Sequence, residues 1–242
     1  MKTSEIATLK TWITESNRIV FFGGAGVSTE SGIPDFRSVD GLYHQKFDYP
    51  PETILSHSFF YSHTEEFYRF YREKMLPLEA EPNAAHLALA TLEREGKLRA
   101  IVTQNIDGLH QKSMIAKAKR EPKFSTRQHN RCTRCGKKYP PEFIRDSAGV
   151  PRCSCGGLIK PEVVLYEEGL DDACVEGAIR AISDADMLIV GGTSLTVYPA
   201  AGLIRYYGGS KLVLINRDET PYDSYANLIF RDPIGTVLSQ VV

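Results

Sequence analysis

Four of the five cysteines in this 242-residue sequence fall into two close pairs. Two residues separate Cys132 from Cys135, and one residue separates Cys153 from Cys155. Zinc in proteins prefers four tetrahedral ligands, and a set of four thiolates leaves no coordination position open for a substrate. The spacing therefore predicts a structural zinc site, with independent thiols or a redox pair as the alternative.

A glycine-rich stretch follows an apolar segment near the N-terminus. Residues 19–22 are typical of a buried strand, and Gly23, Gly24 and Gly26 come directly after them. Where a strand leads into a helix, free N–H groups and the helix dipole favour a pyrophosphate, and glycine permits its close approach. Thr29 stands where the usual dinucleotide fingerprint has its third glycine. A nucleotide site and a tight turn without a ligand both fit this pattern.

A group of polar residues follows a second apolar segment, at 100–102. Gln104, Asn105 and Asp107 come directly after it. In an open α/β sheet, ligands bind beyond the carboxyl ends of the strands. We therefore expect these side chains to share one site with the glycine stretch, although Asn-x-Asp alone is also an ordinary turn signal.

The elements around these residues alternate between strands and helices. Near-continuous apolar runs at 186–192 and 211–216, with a shorter one at 227–230, are typical of parallel strands buried on both faces. Ile6, Leu9, Trp12 and Ile13 recur at helical spacing, and a second helix is expected over about 82–95. The alternation predicts a doubly wound α/β domain, into which the cysteine-containing block at 127–157 is inserted.

Composition excludes several classes of protein. The formal net charge of −1 argues against a general binder of nucleic acid or of membrane surfaces, which would carry a large basic excess. No apolar run approaches the roughly 18 residues that a membrane-spanning helix needs, and the first residues show no signal-peptide pattern. We expect a cytoplasmic protein, because a reducing compartment keeps the paired cysteines available for a metal.

The string GAGVSTESGIPDFR, from Gly24 to Arg37, resembles the nucleotide-binding signature of the sirtuins of the bacterial type. These are NAD-dependent protein-lysine deacetylases and deacylases. Residues 104–107 match the family pattern one by one, and the cysteine pairs match the ribbon of its small domain. The implied reaction transfers an acetyl group from protein lysine to ADP-ribose and releases nicotinamide.

The resemblance also implies a fold and its division into domains. A Rossmann-like sheet domain would comprise residues 1–37, 76–126 and 158–242. A small domain, made of a helical part and a zinc ribbon, would comprise residues 38–75 and 127–157. NAD would bind in the cleft between the two domains, and the chain would act as a monomer.

The resemblance implies a role for each matching residue. Asp107 would bind the nicotinamide carboxamide, Asn105 would act on the ribose or an ordered water, and Gln104 would bind the ribose. Asn105 and Asp107 are the implied catalytic residues. The implied cofactor contacts are Gly24, Ala25, Gly26, Thr29, Asp35, Phe36, Arg37, Gln104, Asn105, Ile106, Asp107, Gly192, Thr193, Ser194, Asn216 and Asp232.

Residues 160–168 resemble the family segment that pairs with the substrate peptide as an added β-strand. Tyr166 and Glu167 differ from the usual Phe-Gly of that segment. The expected partners are the acetylated lysine of protein substrates and NAD, with neither a membrane nor nucleic acid in direct contact. The implied peptide contacts are Val164, Leu165, Tyr166, Glu167 and Val197.

One part of the family pattern is missing. Sirtuins carry a His-Gly pair several residues before the first zinc cysteine, and that histidine is their general base. The corresponding positions here hold Phe124 and Ser125, and the nearest imidazole is that of His129, too close to Cys132 by register. Two explanations for the lack of resemblance over about 113–126 stay open: natural divergence and a local reading-frame error in the sequence.

The missing histidine leaves two alternative functions to test. An enzyme with this pocket and no base could transfer ADP-ribose or hydrolyse NAD. A protein without turnover could bind NAD or acyl-lysine.

Overall fold

The computed structural model describes residues 3–37, 41–44, 46–114 and 130–242. The helices are α1 (Thr3–Glu15), α2 (Pro51–Ile54), α3 (His57–Ser62), α4 (Thr64–Lys74), α5 (Ala84–Arg94), α6 (Leu109–Met114), α7 (Pro141–Asp146), α8 (Asp172–Ser183) and α9 (Ile234–Leu238). The strands are β1 (Ile19–Gly23), β2 (Leu98–Thr103), β3 (Asn130–Cys132), β4 (Lys138–Tyr139), β5 (Ile159–Pro161), β6 (Met187–Gly191), β7 (Leu212–Ile215) and β8 (Leu228–Phe230).

A parallel sheet in the order β2-β1-β6-β7-β8 forms the centre of the larger domain. Successive side chains of a strand point to opposite faces. Accordingly Phe21 packs with α1, α5 and α9 on one face, and Phe22 packs with α8 on the other. Both rings are fully buried. The doubly wound parallel sheet predicted from the apolar segments is confirmed.

The smaller domain has one core shared by its helices and its ribbon. Strands β4-β3-β5 form an antiparallel sheet; helices α3 and α4 contribute aromatic rings to the core beside it, and α2 contributes Ile54. Phe60 and Phe67 are fully buried in this core beside Ile159 of β5. The Arg72 Nε donates a hydrogen bond to the Ile144 carbonyl at 2.8 Å, which joins α4 to α7. Strand β5 belongs to this small sheet, although it lies beyond residue 157, where the sequence-based division ends the small domain. The domain boundaries inferred from the sequence stay predictions.

The segment after β1 differs from the sequence expectation. Instead of an α-helix, two short 3-10 turns follow, at Ala25–Val27 and Thr29–Ser31. The second turn ends at Gly32, whose φ of +80° lies in the left-handed region, and Pro34 follows. A three-residue turn has little of the dipole of a long helix. The inferred contribution of a helix dipole at this position is therefore wrong.

Within the described ranges, no helix has both the length and the apolar character that crossing a membrane requires.

Tyr68 links the helical part of the small domain to its ribbon. Its buried hydroxyl donates a hydrogen bond to the Ile159 carbonyl. We expect Tyr68→Phe to lower the free energy of unfolding by about 1–3 kcal/mol, because a buried carbonyl loses its donor. Urea denaturation measures this change. Tyr61→Phe is the control, since that ring is 49% exposed. Equal stability of the two variants would contradict the link.

Candidate active site

A cleft of about 570 Å³ lies between the two domains. Its volume is in the range of pockets that bind small molecules and cofactors. One wall comes from the carboxyl ends of the parallel strands, and the other from Leu55, Tyr71 and Met75 of the helical part. This is the position at which an open α/β sheet binds its ligand.

The glycine stretch forms one end of the cleft by packing its backbone against the loop after β6. The Gly26 N–H donates to the Gly192 carbonyl at 2.8 Å, and the Gly24 N–H donates to the Gly191 carbonyl at 3.3 Å. A Cβ on Gly26 would lie 2.8 Å from the Gly192 Cα. The absence of a side chain is thus required by contact between two loops of this chain. From the sequence, the close approach of a phosphate is the expected reason for this glycine.

Asn83, the N-cap of α5, holds the same turn from behind. Its side-chain amide donates to the Val27 carbonyl at 2.8 Å and to the Ser31 Oγ at 3.0 Å. Its Oδ1 accepts from the N–H groups of Ala85 and His86, which caps the helix. One side chain therefore fixes both the start of α5 and the position of the turn.

A hydrogen-bonded group of Ser28, Asn105 and Asp107 lies in the cleft. The Ser28 Oγ donates to the Asp107 Oδ2 at 2.6 Å and accepts from the Asn105 Nδ2 at 3.2 Å. The other oxygen of Asp107 accepts from the Leu109 N–H at 2.9 Å. The carboxylate is thereby held in one orientation. Ser28 is fully buried.

Sequence reasoning assigned no role to Ser28. The sequence indicates Ser28 only through its place in the string from Gly24 to Arg37. Its contact with Asp107 joins residues 79 positions apart. Only the packing of the turn against the end of β2 brings the two side chains together.

The remaining cofactor positions come from four loops. The Gln104 Nε2 donates to the Thr193 Oγ1 at 3.3 Å, which connects the loops after β2 and β6. Ser194 follows Thr193, and Asn216 directly follows β7. Asp35, Phe36 and Arg37 line the cleft from the loop after the second 3-10 turn.

The structure brings most of the predicted cofactor positions to this cleft, and two do not line it. The Thr29 Oγ1 turns back to donate to the Gly26 carbonyl at 3.0 Å. Asp232 follows β8 and is not among the lining residues. The residues from the predicted set that line the cleft are Gly24, Ala25, Gly26, Asp35, Phe36, Arg37, Gln104, Asn105, Ile106, Asp107, Gly192, Thr193, Ser194 and Asn216.

The five predicted peptide contacts also line the cleft. Val164 is 47% exposed, and within the described residues neither its N–H nor its C=O has a backbone partner. Tyr166, by contrast, forms a parallel bridge with Ser56 before α3. Glu167 has a φ of +75°, and its carboxylate accepts from the Ser58 N–H at 2.8 Å and the Ser58 Oγ at 3.0 Å.

The four paired cysteines meet at one point of the ribbon. Their sulfurs all lie within 4.8 Å of one another, and the Cys132–Cys155 and Cys135–Cys153 pairs are 3.5 Å apart. Four sulfurs around a zinc ion at about 2.3 Å would be about 3.8 Å apart. The Cys155 N–H and then the Tyr139 hydroxyl lower the pKa of Cys153 to about 5. The set therefore fits a zinc ion without an open position.

Two histidines are buried behind the Asp107 loop. His86 of α5 and His110 of α6 have ring centroids 4.7 Å apart. Burial lowers the pKa of His86 to about 4, against the opposing effect of Asp107. Burial and then His86 lower the pKa of His110 to about 3. Among the described residues, neither nitrogen of His110 has a hydrogen-bond partner, and the lowered pKa values of both histidines leave the two rings neutral at physiological pH.

The sequence leaves open which residue, if any, serves as the general base. The positions concerned, Phe124, Ser125 and His129, lie outside the described residues.

The family model that matches this sequence is that of the Sir2 family, over residues 24–199. The glycine turn from Gly24, the group around Asp107 and the loop after β6 with Thr193 and Ser194 all lie in that match. The chain belongs to the Sir2 family. Its fold is that of Sir2 enzymes.

Curated relatives and solved structures agree with this assignment. A protein of Clostridium acetobutylicum named NAD-dependent protein deacetylase is 57% identical over 98% of both chains. One of Clostridium perfringens with the same name is 55% identical over 98% of both. A Sir2 structure with a p53 peptide and NAD+ is 41% identical, with a TM-score of 0.84, over 100% of this chain and 97% of that one. A Sir2 structure bound to acetylated peptide is 40% identical, with a TM-score of 0.82, over the same shares.

We expect the freshly purified protein to hold one zinc ion per chain. Cys135→Ser should lose the metal and lower the melting temperature, because metal binding at such a site is part of the folding free energy. Cys174→Ser, which changes the remaining cysteine, should keep the metal. Elemental analysis and thermal denaturation measure both effects. Zinc-free wild-type protein would contradict the assignment.

Acid should destabilise the protein through the two buried histidines. Below about pH 6.5 the unfolded chain binds protons on these residues, whereas the folded chain does not until about pH 4. Stability therefore falls as the pH drops through this interval, by up to about 1.4 kcal/mol per pH unit for each histidine.

His110→Phe removes one of these groups and keeps an aromatic ring beside Phe21, whose ring centroid is 6.0 Å from that of His110. Urea denaturation at pH 7.5 and pH 5 should show a smaller acid loss in the variant than in the wild type. Acid also weakens zinc binding, but equally in both proteins, so the difference between them isolates the histidine. Parallel stability curves would contradict the prediction.

Proposed function

We propose that this protein is an NAD-dependent protein-lysine deacetylase, which transfers the acetyl group to ADP-ribose and releases nicotinamide. The observation that carries the proposal is the group of Ser28, Asn105 and Asp107 in the interdomain cleft. The names of relatives that are 57% and 55% identical over nearly the whole chain support it.

The position of each residue in the cleft supports its proposed cofactor role. Asp107, oriented by Ser28 and by the Leu109 N–H, is suited to bind the carboxamide of nicotinamide. Asn105 lies beside it and acts on the ribose or a water molecule. These short polar groups can stabilise positive charge that develops as neutral nicotinamide leaves. The adenosine half then extends toward Ser194 and Asn216.

The substrate is the acetylated lysine of a protein, bound as an added strand along Val164. The exposed Val164 backbone supports this role because strand addition needs free N–H and C=O groups. Sir2 structures have been solved with acetylated and p53 peptides. Val197 lines the same cleft.

We further propose that the chain acts as a cytoplasmic monomer without direct contact to nucleic acid. The net charge of −1 supports the last point. The paired cysteines, none of which forms a disulfide, support a reducing compartment.

Phe124 at the position of the family's histidine has a kinetic consequence. A general base typically contributes about 10²- to 10⁴-fold to a rate. We expect this chain to bind NAD and to exchange nicotinamide, with deacetylation reduced more strongly than exchange. Restoring the base by Phe124→His with Ser125→Gly, in a family-like loop, should raise deacetylation by about 10²-fold or more.

The test uses NAD labelled in its ADP-ribose half and a peptide with one acetyl-lysine. The proposal expects labelled acetyl-ADP-ribose, slowly from the unmodified chain and faster from the rebuilt one. Labelled protein or free ADP-ribose as the main product would instead identify a transferase or an NAD hydrolase. If neither chain turned over NAD, the protein would be one that binds NAD or acyl-lysine without catalysis. Full activity of the unmodified chain would refute the expectation that the general base is missing, and it would leave the proposed deacetylase function intact.

Asp107→Asn tests the assignment of the nicotinamide end. The variant should bind NAD more weakly while its affinity for ADP-ribose changes by a few-fold at most. The reason is that, in the proposed binding mode, the substituted carboxylate contacts the nicotinamide part of the ligand and no other part. Calorimetry with both ligands measures the difference. Equal losses for NAD and ADP-ribose would show that Asp107 acts on the whole site.

A further inference from the structure

We propose that the contact between the hydroxyl groups of Tyr43 and Tyr166 couples peptide binding to cofactor binding. The two oxygens lie 3.0 Å apart, and either can donate. Tyr43 belongs to the loop that carries the cofactor residues Asp35, Phe36 and Arg37, and Tyr166 belongs to the peptide segment. The inference rests on the proposed function, because it assigns a positioning role to two residues of that site.

Tyr43 is fixed to the cofactor residues by its backbone and by its ring. Its N–H donates to the Phe36 carbonyl at 2.9 Å, and the Leu42 N–H donates to the Asp35 carbonyl at 2.9 Å. The Phe36 ring meets the Tyr43 ring edge to face, with centroids 5.8 Å apart. The Arg37 guanidinium lies over the Tyr43 ring, 5.3 Å from its centroid. A shift of Tyr43 would therefore move Phe36 and Arg37 with it.

Gly41 makes this compact arrangement possible. A Cβ at Gly41 would lie 2.8 Å from the Arg37 nitrogen and 2.8 Å from the Asp35 Oδ1. Residues 35–37 and 41–43 thus pack backbone to backbone. These two stretches therefore behave as one unit, from which the Tyr43 hydroxyl reaches Tyr166.

Tyr166 is fixed just as firmly on the other side. Its N–H donates to the Leu55 carbonyl at 3.0 Å, and its carbonyl accepts from the His57 N–H at 2.9 Å. Its backbone is therefore held by the small domain, and its side chain is left to reach Tyr43. Val164, two residues earlier, presents the backbone to which the peptide would pair.

The Tyr43 hydroxyl lies in a partly buried environment. Burial and then the hydrogen bond with Tyr166 raise the pKa of Tyr43, so the group stays protonated and remains a donor. A neutral donor and acceptor at this distance form an ordinary hydrogen bond. A phenylalanine at position 166 would have no hydroxyl and could not make this contact.

Coupling follows because each ligand fixes one of the two segments. A peptide paired along Val164 would restrict the exposed Tyr166 side chain, whose backbone is already held, and that side chain would in turn hold Tyr43 and Arg37 in the arrangement that binds the cofactor. Thermodynamic linkage requires that the cofactor favour peptide binding by the same factor. The strength of one hydrogen bond sets that factor at about 2- to 10-fold.

The experiment is a double-mutant cycle with Tyr43→Phe, Tyr166→Phe and the double variant. Calorimetry measures the affinity of each protein for a peptide with one acetyl-lysine, with and without saturating ADP-ribose. In the wild type ADP-ribose should strengthen peptide binding. Each single variant should lose about 2- to 10-fold of that enhancement. The double variant should lose no more than either single one, because the same bond is removed.

Tyr225→Phe is the matched control, since that ring is 70% exposed and contacts Tyr222 instead. It should keep the full enhancement. Unchanged enhancement in the single variants, or losses that add in the double variant, would overturn the coupling. A wild-type protein that binds neither peptide nor ADP-ribose would instead overturn the proposed function, so the two failures are distinguishable.

Discussion

The close approach of two glycine loops is the constraint on which the site depends. Strands β1 and β6 are neighbours in register, so that Gly23 is paired with Gly191, and the loops after them meet backbone to backbone. A side chain on Gly24 would contact Thr193, with 2.8 Å between the two Cβ atoms. Because the loops interlock, the turn holds Ser28 beside Asp107, and Thr193 reaches Gln104.

The second requirement is that the small domain folds as one body. Its aromatic helices and its ribbon share a single apolar core, in which Cys132 and Cys153 are themselves buried members. A zinc ion that stabilises the ribbon would therefore also stabilise α3 and α4. The segment from Leu55 to His57, which holds Tyr166, lies at the edge of this core. Metal and peptide segment are connected through packing, although they do not touch.

The sequence was sufficient where a local pattern determines the structure. Apolar runs predicted the strands, and cysteine spacing predicted a set whose sulfurs meet. Features set by tertiary contact could not be read in this way. The 3-10 turns depend on Gly192 and Asn83, both distant in the chain. The contact of Ser28 with Asp107, like that of Tyr43 with Tyr166, joins positions far apart, and no local spacing indicates it.

The unusual backbone of Glu167 has a consequence for the entropy of substrate binding. A residue other than glycine in the left-handed region costs about 1–3 kcal/mol of strain. Here the two hydrogen bonds from Ser58 to the Glu167 carboxylate offset that strain. Glycine at this position would adopt the same φ freely, but would leave the segment more conformations to lose. If the proposed peptide role holds, Glu167 preorganises this segment, and less of the peptide's interaction energy is spent on ordering it.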